Sequence, residues 1–170
     1  MTRIFVATLM VCALAACSEK QTASVPPDPA ANSATPLGAV RPANIPERLT
    51  NTQDCSVDLV NDAMATKVMP VANKNKVRLS GWAADSVAGT LPKEAYLEIG
   101  GAKKAYAQVV LGVARPDVAA HFGKPALANP GWQVTVDMTT LQAGNYELRI
   151  IQLGDAANTI CDTRKSVSLN

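Results

Sequence analysis

The chain is poor in the residues that most protein chemistry requires. Its 170 residues include one histidine, four cysteines, two tryptophans and two phenylalanines. A lone histidine, His121, with two distant cysteines does not make a zinc set. No C-x-x-C spacing is present, which argues against a reactive dithiol. G-x-S-x-G, H-E-x-x-H and phosphate-cradling glycine loops are all missing. Asp58, Asp85, Asp117 and Asp137 are scattered along the chain and form no carboxylate motif. The expectation is a protein that is not an enzyme and carries no cofactor.

Charge of one sign is lacking too. The formal net charge is +2, and without residues 1–16 only Arg3 is lost, leaving 15 basic against 14 acidic side chains. That balance gives no electrostatic footprint for nucleic acid, which needs a basic stripe or a much higher pI. Lys74-Asn75-Lys76-Val77-Arg78 and Lys103-Lys104 read as solvated turns. No internal repeat is visible, and no apolar run is long enough to span a bilayer.

What is present begins at the N-terminus. Residues 1–16, MTRIFVATLMVCALAA, place Arg3 ahead of an apolar stretch from Ile4 to Ala16, which has the make-up of a secretory signal. Leu14-Ala15-Ala16-Cys17 resembles the bacterial lipobox, in which the cysteine sulfur is diacylated before cleavage on its N-terminal side. Only a thiol can make that thioether. Several acyl chains on Cys17, at about 0.8 kcal/mol per buried methylene, imply essentially permanent membrane anchoring. Ser18 stands where an aspartate would resemble the inner-membrane retention signal, so the outer membrane is the expected location.

Cys12 leaves with the signal and Cys17 takes lipid, so Cys55 and Cys161 remain. Export passes through an oxidising compartment, where such a pair is joined. The bridge would close a loop of about a hundred residues, with roughly 4–5 kcal/mol as the upper loop-entropy value.

Ser18 to Arg48 is rich in Pro, Ala, Ser, Thr and Asn and has no apolar periodicity. Residues 17–48 are therefore expected to be a lipidated cysteine followed by a disordered tether, roughly 30 Å long on average as a coil. "LGAVRPANI" (37–45) is the one part able to pack as an arm. Residues 49–170 make one domain of ordinary size.

Within that domain the apolar pattern is period two: 55–60, 76–84, 95–101, 105–114, 132–138, 146–153 and 159–169. Cys55, Val57 and Leu59 alternate with Ser56, Asp58 and Val60; Trp132, Val134, Val136 and Met138 share a face. The segment 116–122 differs, with Pro116 at a first helical position, Asp117 in the first turn and Gly123 to end it. About seven strands and one short helical turn predict an all-β, two-sheet, disulfide-tied sandwich.

Five segments, CSVDLVN, LSGWAAD, ARPDVAAHFG, GWQVTVDMTTLQAGNYELRI and TICDT, together resemble an immunoglobulin-like module of bacterial envelope proteins. The resemblance covers residues 54–170. Gly81-Trp82, Arg115-Pro116-Asp117-Val118 and the Ala143-Gly144-x-Tyr146 corner carry it most specifically. Similar modules accompany membrane enzymes that handle cell-surface glycans, so the resemblance implies an accessory role with an envelope protein as partner. It supports a fold more directly than an activity.

Three side chains stand out as candidate recognition residues. Arg115 and Asp117 flank a proline; Arg115 can present its planar fork to an acid, or the pair can order the crossover. Trp82 shares a face with Arg78 and Ser80, and an exposed indole there could stack on a sugar. A glycan-binding lipoprotein is thus the alternative to a protein-docking module. A third reading, a soft copper site, needs His121 to meet Met64, Met69 and Met138, although Met138 is in phase with the core.

Overall fold

The computed structural model describes residues 34–170. The signal segment, Cys17 and the first part of the tether lie outside the described residues. Strands dominate: β1 (Thr35–Pro36), β2 (Thr50–Thr52), β3 (Cys55–Val60), β4 (Ala63–Met64), β5 (Val68–Val71), β6 (Val77–Ala83), β7 (Glu94–Gly100), β8 (Ala105–Gln108), β9 (Val110–Val113), β10 (Gly131–Asp137), β11 (Gly144–Leu153) and β12 (Asn158–Leu169). One α-helix, α1 (Pro116–Phe122), and a 3-10 turn at Pro125–Leu127 complete the set.

The strands form two sheets. The first runs β1-β10-β6-β3-β4, with β9 sharing the β10 edge with β1; the second runs β2-β12-β11-β7-β8, with β5 sharing the β12 edge with β2. In chain order β3, β6, β7, β8, β9, β10, β11 and β12 take the places A, B, C, C′, D, E, F and G of an immunoglobulin-like sandwich. The inward positions of both sheets, among them Leu79, Leu97, Ile99, Trp132, Val136, Leu148, Ile150 and Val167, are buried in one core. Cys55 on β3 and Cys161 on β12 are bonded across the two sheets over a separation of 106 residues.

The corner between β10 and β11 is tied by its tyrosine. The Tyr146 hydroxyl donates to the Gln142 carbonyl at 2.9 Å, four residues upstream, while the ring is buried. Gly81 has a steric reason. A Cβ there would overlap the Ser56 carbonyl and sit 3.0 Å from the Trp132 ring, so only glycine lets β3 and the indole close on β6.

Three features differ from the sequence reading. Residues 105–114 are two strands: β8 pairs with β7 in one sheet and β9 with β10 in the other. Val109, at the crossing, is buried and its N–H donates to the Ala95 carbonyl, so the chain changes sheets through apolar residues that give no turn signal. In β3 a register shift between Val57 and Leu59 leaves Asp58 unpaired. The alternation therefore inverts after it: Val60 is buried and Leu59 half-buried, a bulge that a period-two pattern cannot show. Finally, ordered structure begins before residue 49.

Residues 34–52 form a strap around the second sheet. β1 pairs in parallel with the end of β10, Gly38 exchanges backbone hydrogen bonds with Tyr106 on β8, and β2 adds in parallel to β12 at the opposite edge. Between these points Ile45 is buried in a small second core with Tyr96, Tyr106, Ile151 and Leu153 on the outer face of that sheet. Asn44 donates to Glu94 at 2.8 Å and to the Tyr96 hydroxyl at 2.9 Å. Ile45 and the half-buried Leu49 suffice as the strap's share because the sheet supplies the rest of the cluster.

Candidate functional site

The outer face of the first sheet carries the three residues singled out by sequence. On β6, Arg78, Ser80 and Trp82 point away from the core, and Trp82 is half-buried. Ser56 on β3 and Gly131 on β10 lie opposite Trp82 on either side. Gly131 is small for a reason: a Cβ there would lie 2.6 Å from the Val113 carbonyl and 3.1 Å from Cγ of Arg115. The absent side chain leaves a path for Arg115 across the sheet.

Arg115 is the N-cap residue of α1, and its carbonyl accepts from the N–H groups of Val118 and Ala119. Its guanidinium joins two elements. Nε and Nη2 donate to the two oxygens of Asp117 at 2.9 and 2.7 Å, and Nη1 donates to Asp58 at 2.5 Å. The bulge in β3 turns Asp58 toward this fork, and Ser56 donates to its other oxygen at 2.6 Å. Hydrogen bonding and the charges of Asp117 and Asp58 push the guanidinium further up from its already high range. In return Arg115 holds the exposed Asp117 carboxyl down at about 2, from an ordinary 3.8.

The far end of the helix is also fixed. Gly123, at φ 63°, ends α1 in the left-handed conformation. Lys124 then donates its ammonium to the carbonyls of Ser86 and Val87 at 2.6 and 2.7 Å, bracing the loop after β6. Between the two anchors Val118 is buried and Phe122 packs edge-on against Trp82, centroids 5.7 Å apart at 65°. His121 stacks edge-on on Phe122 at 4.8 Å and is exposed. Trp82, Phe122 and His121 thus form a short aromatic row on a crossover anchored at both ends.

Arg115 and Asp117 are brought together, and Trp82 lies beside them. The fork of Arg115 is engaged inside the protein, however, so the pair orders the crossover. Asp58 and Lys124 complete the clamp, and neither was singled out by sequence; their partners are 57 and about 38 residues distant, and no local pattern signals them. The copper candidates stand apart: His121 is exposed on α1, Met138 is fully buried in the sandwich core, and Met64 is 74% exposed on β4. Met69 accepts from Thr66 through its sulfur. Among the described residues no group of three or more His, Cys, Asp or Glu side chains could hold a metal, and no helix is long and apolar enough to cross a membrane. In comparisons with known proteins, the chain matches no family, no curated protein and no solved structure.

Proposed function

We propose that this protein is a lipid-anchored lipoprotein of the bacterial cell envelope whose sandwich is a non-catalytic docking module for another envelope protein. Acylated Cys17 holds it to the membrane, the outer membrane by the absence of an aspartate after it, and the tether lets the domain reach its partner. The observation that carries the docking reading is the clamp of Arg115 on Asp58 and Asp117, which presents the Trp82–Phe122–His121 row in one fixed geometry. Rigid aromatic side chains lose little entropy on association and are the usual anchors of protein interfaces. Arg115 is engaged internally by Asp58 and Asp117, which favours a protein surface over a glycan carboxylate as the ligand.

In-cell photo-crosslinking tests this. A photoreactive residue replaces exposed His121 in the full-length protein. A single discrete protein adduct, lost in Phe122→Ala, supports docking. A glycan ladder or no adduct would overturn it. Separately, Cys17→Ser should abolish acyl labelling and release the protein from membranes; retention would reject the anchor.

A further inference from the structure

The strap of residues 34–52 is joined to the sandwich by short, separate attachments. β1 pairs with β10 at Thr35 and Pro36 alone, and both are exposed. Gly38 exchanges backbone hydrogen bonds of 2.9 Å with Tyr106, and β2 pairs with β12 only from Thr50 to Thr52. Ile45 is the one side chain of the stretch that is buried. By contrast, β11 is paired with β12 along all of Gly144–Leu153 and contributes to the main core. Tension from the N-terminal end therefore loads the strap's attachments one after another, and each holds only a few bonds.

Just beyond β2 the chain meets a different kind of bond. Cys55 is held by its disulfide to Cys161 on β12, and Thr52 already lies beside Cys161 in the parallel register. Hydrogen bonds and one apolar contact can be pulled away; a covalent bridge cannot. The bridge also keeps the start of β3 fastened to the second sheet, so that β3 is not drawn out behind the strap. Peeling that begins at Thr35 thus has a fixed end.

We propose that the strap is a releasable extension of the tether, which peels from β1 past Ile45 to β2 under tension and stops at Cys55. Its use as a tether rests on the membrane anchor proposed above; the peeling itself does not. Cys17 to Ala34 spans at most about 60 Å, and Thr35 to Cys55 at most about 70 Å when drawn out. Docked, Thr35 and Cys55 are separated by the length of β6 from Val77 to Ala83 and the width of the first sheet from β1 to β3, about 25 Å in all. Release therefore adds about 45 Å of reach. It also uncovers Tyr96, Tyr106, Ile151 and Leu153, and covering them again draws the strap back when tension falls. The disulfide-tied sandwich moves outward as one body.

Optical tweezers on the full chain test this. One handle is ligated to the N-terminus, and the other is clicked to an azido residue replacing Val87, which is 88% exposed on the loop after β6. Cys12→Ser and Cys17→Ser leave the bridge as the sole disulfide and make the result independent of the anchor, which acyl labelling of the unaltered protein decides. A reversible gain of about 45 Å before the sandwich ruptures is expected, with the same end point in every cycle. Ile45→Ala should shift the balance toward the released form roughly tenfold or more at a given force. With reductant, the fixed end point should vanish and the extension should run on into β3. A strap that comes away only together with the sandwich, an Ile45→Ala balance equal to that of the parent, or an end point unmoved by reduction would overturn the proposal.

Discussion

Asp58 and Arg115 are ion-paired across 57 residues of sequence because a bulge leaves Asp58 unpaired in β3 and turns it to meet the guanidinium at the start of α1. One contact thus ties an irregularity in a sheet to the helix that crosses its outer face. The aromatic row inherits its geometry from that tie.

Removing either partner should loosen the crossover more than the sandwich. Both side chains are about a quarter exposed, so the pair is partly screened, and each alanine substitution is expected to cost about 1–2 kcal/mol. A double-mutant cycle from urea unfolding should show a coupling energy above ~0.5 kcal/mol. Arg115→Lys should not rescue, since a single ammonium cannot take both oxygens of Asp117 and reach Asp58. A coupling near zero would remove the clamp from the account.

Acid should open the same crossover at a defined pH. Arg115 hydrogen-bonds ionised Asp117 and depresses its pKa from 3.8 to about 2. A depressed carboxylate contributes stability above its unfolded pKa and loses that contribution as pH falls through its folded value. Amide exchange and Phe122 ring shifts in α1 should therefore change between about pH 4 and pH 2, ahead of the sandwich core. A change centred above pH 5 would point to another group.

The disulfide joins the first and last long strands, in opposite sheets. Its reduction, or the pair Cys55→Ser and Cys161→Ser, should lower stability by about 3–5 kcal/mol. Urea midpoints with and without reductant measure this directly. An unchanged midpoint would mean that the core alone holds the sheets.

Gly81→Ala should be among the most damaging single changes. The added methyl meets the Ser56 carbonyl and the Trp132 ring, both held by the sheet and core. Overpacking of this kind costs about 1–3 kcal/mol or more, and here strand pairing between β3 and β6 must also give way. Thermal unfolding of the variant checks it.

The strap should release independently of the sandwich. Ile45 is its one buried apolar side chain, so Ile45→Ala is expected to cost about 2–4 kcal/mol locally. Limited proteolysis at 37–48 should quicken, while the exchange-protected core of β7, β11 and β12 stays unchanged. Equal loss of protection in both would show that strap and sandwich unfold together.

Features that repeat or close locally could be read along the chain. Period-two runs mark β6, β10, β11 and β12, Pro116 and Gly123 bound the helix at its observed ends, and the leftover cysteine pair names the bridge. The Ala143-Gly144-x-Tyr146 corner was legible because its hydrogen bond is only four residues long. Where distant segments meet depended on the folded chain. The sheet change at Val109 happens within apolar residues that suit either sheet, the bulge at Asp58 appears only when β3 is laid on β6, and the strap is recognisable only once the outer face of the second sheet offers Ile45 a place. That Arg115 orders the crossover was one of two readings open in the sequence, and Asp58 as its second partner was not legible, because that partner is chosen by the bulge and by the space over Gly131.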